Sequence, residues 1–347
     1  MKNRLPLIAL LGFGHGLNDF IAGYFMGSFV QLKIDVLQIG LGLFIYNLLA
    51  FGGQYPFALL LEKYNKPRKF LVAAYSLNLG AVACFIFLPG LSIVLAGFAS
   101  AAYHVTGGTL SSEKNKAFNI GLFAAPGVAG LVTGGYFAWA QISVMPLLMT
   151  ATIIFLMILL WLPVSSGKNM SIVQKRKEKT VIDDHDILMI LLLTFISFRS
   201  MIWNVFQLIH KHEYDWLVAI AASAFAGKII GGWIADKIGW RIYSFVSLLF
   251  AMPLLTIFKK ELLLFTIGIG LLQSSIPATT SLLIKTMKGK RERAIGLSFG
   301  TTIMAGAIVF YSPARNFFIS NWVLWIMSAV MILTLIILKK KHRALQQ

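Results

Sequence analysis

Charged residues are scarce in this chain of 347 amino acids, and acidic residues are the scarcest of them. Only 13% of the residues are charged, against about 25% in an ordinary soluble protein. A soluble fold of this length could not bury a hydrophobic fraction of 58%, so a single-core soluble enzyme is excluded. The one cysteine, Cys84, excludes a disulfide framework and a cysteine-based zinc site. The chain also lacks a P-loop motif, which excludes ATP-driven transport by this chain alone.

Long apolar runs fill almost the whole chain and give it a mean hydropathy of +0.78. A helix needs about 20 predominantly apolar residues to cross the hydrocarbon core of a bilayer. We therefore predict an all-α integral membrane protein with twelve transmembrane helices and almost no extramembrane domain. The predicted spans are residues 5–31, 36–61, 69–88, 90–111, 117–140, 144–163, 187–209, 216–235, 241–258, 261–284, 294–318 and 321–338.

Basic residues are distributed very unequally between the two sides of these spans. Of the 31 Lys and Arg residues, 24 lie on the side that holds both termini and five on the opposite side. The positive-inside rule then predicts both termini in the cytoplasm and a location in the inner (cytoplasmic) membrane. The net charge of +18 is explained by membrane insertion and lipid, so we expect no nucleic-acid partner. Arg199 and Lys228 remain inside predicted spans.

Two short sequence patterns recur after about half the chain length. Glu62-Lys63 returns as Asp236-Lys237, and Ile120-Gly121-Leu122 returns as Ile295-Gly296-Leu297. Six spans separate the members of each pair, so the two halves have the same orientation in the membrane. The repeat predicts an N-terminal six-helix half at 1–164, a cytoplasmic linker at 165–186 and a C-terminal six-helix half at 187–347.

The loop after the eighth span carries a family signature. Residues 232–241 read Gly, three residues, Asp, a basic residue, any residue, Gly, any residue and a basic residue. This segment resembles the loop signature of the major facilitator transporters, whose fold has two parallel six-helix repeats. The first-half copy has Asn65 where glycine is expected. The resemblance implies a gate at the cytoplasmic mouth, whereas the alternative is a solvated interfacial turn. The gating residues it implies are Glu62, Lys63, Gly232, Asp236, Lys237, Gly239 and Arg241.

Shorter stretches resemble one subgroup of that superfamily. His15-Gly16-Leu17-Asn18-Asp19 is similar to the His-x-x-Asn-Asp stretch of fosmidomycin-resistance-type efflux proteins, and Tyr103-His104 is similar to their aromatic-His pair. Arg199 falls near the place where they carry a basic residue. The chain departs from the subgroup after His104, where Val105-Thr106 replaces Pro-Glu.

Ionisable side chains lie deep inside three predicted spans, where a charge is expensive and usually functional. Asp19, His104 and Arg199 fall at similar depth, and the family resemblance places their spans around one central cavity. Asp19 and His104 suit proton coupling, and Arg199 suits binding of an anion or pairing with Asp19. A structural Asp19–Arg199 pair is the alternative, and Lys228 could simply extend its amine towards the membrane surface.

Polar residues at helical spacing complete a predicted substrate site. His15, Asn18 and Asp19 share one face of the first span, and a polar stripe runs along the seventh span from Arg199. The predicted substrate-binding residues are Arg199, His15, Asn18, Asn47, Gln54, Tyr103, Trp203, Gln207 and Gln273.

Together these features predict a monomeric, proton-coupled secondary transporter that exports a small anionic or zwitterionic compound by alternating access. Its partners are the substrate, protons and the lipid bilayer, with no catalytic residue, cofactor or metal. The closest alternative is an importer of a small organic anion or nutrient. A polytopic membrane enzyme or a scaffold belongs to a different class, and the sequence shows neither a reactive cluster in an interfacial loop nor an extra domain.

Overall fold

The computed structural model describes residues 4–29, 36–163, 184–209, 214–310 and 312–344. Most of the predicted linker 165–186 lies outside these residues. Helices make up almost all of the described chain, as the apolar runs predict.

The first half contains six helical units, and the second of them is interrupted. A π-helical stretch at Leu48–Gly52 separates α2 from α3, which together form this second unit. The helices are α1 (Leu5–Ser28), α2 (Val36–Asn47), α3 (Gln54–Tyr64), α4 (Pro67–Cys84), α5 (Pro89–Ser111), α6 (Ala117–Trp139) and α7 (Met145–Trp161).

The second half also gives six units among its described residues, and here the fifth unit is interrupted. A π-helical stretch at Leu297–Thr301 and a 3-10 turn at Ala307–Phe310 divide the predicted span 294–318 into short pieces. The helices are α8 (Asp184–Ile209), α9 (Tyr214–Ile238), α10 (Trp240–Thr256), α11 (Leu262–Thr286), α12 (Arg291–Gly296), α13 (Thr302–Gly306), α14 (Ser312–Ile319) and α15 (Asn321–Ala344).

Eight of the described helical units are long and apolar enough to cross a membrane, and α7 and α10 are shorter apolar helices. The twelve predicted spans correspond to the twelve helical units within a few residues at most ends. The α4 unit has only 18 residues and begins with Pro67-Arg68-Lys69, and the eleventh unit is broken. These two units therefore fall outside the eight, although their positions match the predicted spans.

The two halves approach most closely where α6 crosses α9. A Cβ atom on Gly232 would lie 2.7 Å from the carbonyl oxygen of Ala117, and one on Gly121 would collide with the carbonyl oxygen of Lys228. Glycine at both positions lets the two backbones pack directly against each other. The packing also fixes the height of Lys228 and of Asp236 relative to α6.

The turns after α3 and after α9 both contain a residue with positive φ. Asn65 ends α3 with φ +49° and ψ +44°, and its N–H donates to Leu61 O at 2.8 Å. Gly239 follows α9 with φ +98°, and its N–H donates to Ala235 O at 2.9 Å. The positions are equivalent in the half-chain repeat. Asn65 replaces the expected glycine because asparagine, with its short polar side chain, tolerates the left-handed region better than most residues.

We expect Asn65→Val to destabilise the protein and Asn65→Gly to leave its stability nearly unchanged. A β-branched residue in the left-handed region costs roughly 1–2 kcal/mol, whereas glycine adopts that region freely. Thermal unfolding midpoints of the purified protein, measured by intrinsic fluorescence, check this. Equal midpoints for the valine and wild-type proteins would contradict the proposed role of the turn.

Candidate functional site

A cavity of about 250 Å³ lies between the two halves, and residues from both π-helical stretches line it. Helices α1, α5, α8 and α11 contribute His15, His104, Arg199 and Gln273, so the first, fourth, seventh and tenth units surround it as expected. The remaining polar lining residues are Asp19, Asn47, Ser200, Asn204, Lys228 and Ser298, and the aromatic ones are Phe51, Trp203 and Phe299.

Three ionisable side chains meet on the N-terminal side of this cavity. His15 Nε2 lies 3.2 Å from Asp19 Oδ2, and His104 Nε2 lies 3.6 Å from Asp19 Oδ1. The two Nε2 atoms are 2.7 Å apart, and the imidazole rings meet edge to face. His15 and Asp19 share one face of α1 at i, i+4 spacing, and α5 supplies His104 from the opposite side. We call these three residues the His–Asp–His cluster.

The other ring nitrogens decide which atoms of the cluster carry protons. His15 Nδ1 lies 2.9 Å from the carbonyl oxygen of Phe123, and His104 Nδ1 lies 2.7 Å from that of Ser100. The hydroxyl of Ser100 also lies 3.0 Å from His104 Nδ1. When both Nδ1 atoms donate to the carbonyl oxygens, which only accept, both Nε2 atoms face each other with lone pairs. Two lone pairs at 2.7 Å repel unless a cation lies between them. One proton shared by the histidines satisfies this geometry, and its positive charge balances Asp19.

A divalent metal could also use the cluster, since its ligand atoms lie within 4.8 Å of one another. Two imidazoles and a carboxylate suit a transition metal such as zinc. Zinc bonds of 2.0–2.1 Å in tetrahedral geometry, however, place neighbouring nitrogen ligands about 3.3 Å apart. The observed Nε2–Nε2 distance of 2.7 Å fits a shared proton better.

A polar layer behind the cluster holds it in place. Asn18 Nδ2 donates to Asp19 Oδ1 at 2.9 Å, and Asn78 Nδ2 donates to Asn18 Oδ1 at 2.9 Å. Asn18 Nδ2 also lies 3.3 Å from Ser100 Oγ, which accepts from Tyr46 Oη at 3.4 Å. These contacts link α1 to the second, third and fourth units. They orient the Asp19 carboxylate towards the two histidines.

Gly127 of α6 makes room for the cluster. A Cβ atom at this position would lie 2.6 Å from Asp19 Oδ2 and would collide with His15 Nε2. The Ala125-Pro126-Gly127 stretch therefore provides a surface on which the carboxylate and the imidazole can lie against backbone. Any larger side chain at residue 127 would displace one of them.

Two cations face the cavity from the C-terminal half. Arg199 is 3% exposed and donates from Nη1 to Thr279 Oγ1 at 3.0 Å, and Lys228 is 7% exposed and donates from Nζ to Ala124 O at 3.3 Å. Among the described residues, no carboxylate lies within 4.0 Å of either cation. The alternative of a structural Asp19–Arg199 ion pair is therefore absent from this part of the chain, and Asp19 binds histidines instead.

The predicted substrate residues divide into two groups. His15, Asn47, Arg199, Trp203 and Gln273 line the cavity. Three others do not line it, because local hydrogen bonds hold them inside the bundle. Asn18 supports Asp19, Tyr103 donates to Leu11 O at 2.8 Å, and Gln54 donates to Ala50 O at 3.0 Å. The side chain of Gln207 lies outside the described part of the structure.

Sequence reasoning missed several lining residues. Lys228 carried a signal, because it is one of two basic residues inside predicted spans, but extension towards the membrane surface or pairing was the favoured interpretation. Asn204 is next to Trp203 in the sequence. The polar stripe predicted from Arg199, at intervals of three and four residues, does not include it. Ser298 and Phe299 lie on a π-helical stretch that changes which residues face inward. Helical periodicity alone could not have placed them.

At one end of the bundle, Asp236 joins α9 to the start of α6. Its carboxylate accepts from the backbone N–H groups of Ala117 and Phe118, each at 2.9 Å, and from Trp240 Nε1 at 2.8 Å. A carboxylate at a helix N-terminus satisfies free N–H groups and interacts favourably with the helix dipole. Gly232 lies one turn before Asp236 on the same face, and its missing side chain allows this approach.

The equivalent residue of the first half, Glu62, also reaches the other half. Arg293 at the start of α12 donates to Glu62 through Nε at 2.6 Å and Nη2 at 3.3 Å. Arg293, which binds Glu62, lies 175 residues after Phe118, which binds Asp236. The partners of the two carboxylates therefore occupy equivalent positions in the two halves. We call the contacts of Asp236 and Glu62 the two carboxylate latches. The latches hold the halves together at this end.

The remaining residues of the predicted gate make weaker contacts. Lys237 Nζ lies 3.5 Å from the centroid of the Trp233 ring, and Lys63 Nζ lies 5.4 Å from that of Tyr64. Gly239 provides the turn into α10, and Arg241 is partly exposed in the first turn of that helix. Only the two acidic residues of the signature thus bridge the halves directly among the hydrogen bonds found in the described residues.

Comparisons with known proteins agree with this architecture. The sequence model of the Major Facilitator Superfamily matches residues 8–309. A crystal structure of the transporter FucP in the outward conformation is similar with a TM-score of 0.73 and 14% identity, over 96% of this chain and 99% of that one. A point variant of the Escherichia coli fucose:proton symporter FucP gives 0.72 and 15%, over 96% and 98%.

A bacterial homologue of the iron transporter ferroportin, in an outward-facing state, gives a TM-score of 0.63 and 12% identity over 96% of this chain and 98% of that one. A search of curated proteins finds no match. At these identities the solved structures show the fold alone. The predicted all-α fold with two parallel six-helix repeats is confirmed.

We expect the double variant Asp236→Asn, Glu62→Gln to loosen the latched end, because each change removes a charge that binds the opposite half. Spin labels on cysteines that replace the exposed residues Tyr64 and Lys288, in a Cys84→Ser background, report the separation of the halves. The label distance should lengthen or broaden in the double variant. Asp215→Asn, which removes an exposed carboxylate near the other end of α9, is the matched control, and an unchanged distribution in the double variant would contradict the latches.

Proposed function

Because the chain belongs to the Major Facilitator Superfamily, we propose that this multi-pass membrane transporter is a proton-coupled secondary transporter of a small anionic or zwitterionic compound. The observation that carries the proposal is the cavity between the halves, with a proton-binding cluster on one wall and two buried cations on the other. The distribution of basic residues supports a cytoplasmic membrane location with the latched end, and both termini, in the cytoplasm.

The proton is bound by the His–Asp–His cluster. Asp19 supplies the negative charge, and His15 and His104 supply two nitrogens that share one proton at 2.7 Å. In a low-dielectric site, a proton is held as long as both imidazoles and the carboxylate stay together. A relative movement of α1 and α5 separates the two Nε2 atoms and releases it. The cluster thereby assigns proton coupling to His15 as well as to the predicted Asp19 and His104.

The substrate is bound opposite the cluster. Arg199 cannot lose its proton under ordinary conditions, and only one of its N–H groups makes a hydrogen bond in the described structure. Its remaining donors suit a carboxylate or another oxoanion. Asn47, Trp203 and Gln273 line the same cavity and supply further contacts. Alternating access follows when the carboxylate latches open and the opposite end of the two halves closes.

Export is the direction we propose, on the resemblance of the His15–Asp19 and Tyr103–His104 stretches to fosmidomycin-resistance-type efflux proteins. A zwitterionic substrate supports exchange with a proton. Its anionic group would bind Arg199, and its cationic group would compete with the proton for Asp19. Occupancy by substrate and by proton then become mutually exclusive, which is the requirement for antiport.

Import by symport is the second candidate, and the charges of the cavity favour it for a purely anionic substrate. Loading the cluster with a proton makes the cavity more positive and therefore strengthens binding of an anion. Proton and anion would then bind together. The charge of the substrate thus decides which direction of coupling the site supports.

Proteoliposomes with an interior pH dye test the proposal. Small phosphonates, carboxylates and zwitterions are added under an imposed proton gradient to wild type, Asp19→Asn, Arg199→Gln and the matched control Asp215→Asn. We expect Asp19→Asn to lose substrate-dependent proton movement while it still exchanges labelled substrate across the membrane, because the cluster loses its counter-charge. Arg199→Gln should lose transport of the anions.

The sign of the proton movement separates the two candidates. Protons that move against the direction of a substrate gradient indicate antiport, and protons that move with it indicate symport. Substrate-driven proton movement that is unchanged in a well-folded Asp19→Asn protein would contradict coupling through the cluster.

A further inference from the structure

Lys228 has no role in the function proposed so far, yet it occupies an unusual position. Its side chain is more than nine-tenths buried, it lines the cavity, and it makes one hydrogen bond, to Ala124 O at 3.3 Å. An ammonium group has three donors, so two remain for a ligand. At the close crossing of α6 and α9, the backbone of Lys228 packs directly against Gly121. The amine is therefore held at the boundary of the two halves.

The charges around the cavity do not balance. Asp19 is the one carboxylate among the described residues that line it. The proton shared by His15 and His104 already offsets that carboxylate, as the positions of the four ring nitrogens indicate. The positive charges of Arg199 and Lys228 then have no counterpart in the described lining. Buried charges without partners are strongly unfavourable, so the site is suited to a ligand that carries the missing negative charge.

We propose that Arg199 and Lys228 together bind a doubly negative head group of the transported compound, such as a phosphate monoester or a dicarboxylate. The inference rests on the proposed function in one respect, namely that this cavity is where the substrate binds. Arg199 contributes a planar fork that matches two oxygens, and Lys228 contributes a compact charge. A single negative charge would neutralise only one of the two cations.

The remaining walls define the rest of the compound. Apolar residues from both halves face the same space, among them Val128, Leu131, Ile276 and Ile303. Phe51 and Phe299 lie on the two π-helical stretches that border the cavity. A cavity of about 250 Å³ admits a short apolar chain in addition to the head group. The substrate accordingly carries a dianionic head group and a short apolar part. By the coupling argument above, such a compound moves together with a proton if it has no cationic group, and in exchange for a proton if it has one.

Pairs of ligands that differ by one negative charge and one methyl group test the head-group site. The probes at pH 8 are n-butyl phosphate, a dianion, and methyl n-butyl phosphate, a monoanion, because a phosphate monoester loses its second proton near pH 6. Succinate and monomethyl succinate form the dicarboxylate pair and distinguish the two sources of charge. Binding to the purified full chain is followed by fluorescence of Trp203, which lines the cavity. A Trp203→Phe protein identifies its contribution to the signal.

In the wild-type protein, n-butyl phosphate or succinate should bind about tenfold more tightly than the monoanion of the same pair. The reason is that the dianion makes one more charged hydrogen bond. Lys228→Gln should reduce this preference to less than about threefold while it changes monoanion affinity little. Lys228→Arg should restore the preference. Arg199→Gln should weaken binding of both members of a pair. Lys259→Gln, which removes an exposed charge at the end of α10, is the matched control and should bind as wild type does.

Three results would overturn the proposal: equal affinity of wild type for dianion and monoanion, an unchanged preference in Lys228→Gln, or no binding of any of the four probes. If the glutamine variant does not fold, the wild-type preference and the arginine variant still decide the question. Because the assay measures binding without a proton gradient, Asp19→Asn should keep the preference. If the protein prefers dianions in the binding assay but moves no protons in proteoliposomes, proton coupling is contradicted. The proposed head-group site is supported by the same result.

Discussion

The cost of a charge inside an apolar bundle is the constraint on which the rest of the structure depends. Asp19 lies against two histidines, whose Nδ1 atoms contact backbone carbonyls and whose Nε2 atoms are 2.7 Å apart. Arg199 and Lys228 do not meet it within the described chain, because no carboxylate lies close to either cation. In the proposed function, one wall of the cavity binds a proton and the other wall binds an anion. Transport follows if the two walls belong to parts that move relative to each other.

At the latched end of the bundle, polar contacts connect the two halves. Asp236 binds backbone N–H groups at the N-terminus of α6, whereas Glu62 binds the guanidinium of Arg293 at the start of α12. The two carboxylates occupy equivalent positions of the repeat but bind different chemical groups. Both contacts are polar and lie near the end of the bundle, where water can replace them at modest cost. Buried apolar side chains also pack across the two halves, so opening of this end has to break apolar contacts as well as the two carboxylate latches.

Several features of the site were predictable because they depend on local chemistry. The position of Asp19, His104 and Arg199 at similar depth identified three of the ionisable residues around the cavity, and helical spacing placed His15 beside Asp19. The loop signature indicated that Asp236 is one of the gate residues, and its carboxylate binds the N-terminus of α6. Asn18, Tyr103 and Gln54 do not line the cavity, and the sequence does not indicate the hydrogen bonds that hold them inside the bundle.

The sequence by itself determined the number and order of the helices and the repeat of the halves, because the bilayer imposes a length and a composition on every span. It also located the loop after the eighth span and its first-half copy, in which Asn65 replaces the expected glycine. Only the tertiary structure decided that Asp19 pairs with histidines rather than with Arg199, and that Lys228 faces a cavity rather than the membrane surface. These outcomes depend on angstrom-scale packing of α1, α5, α6 and α9, which distances along the chain do not encode.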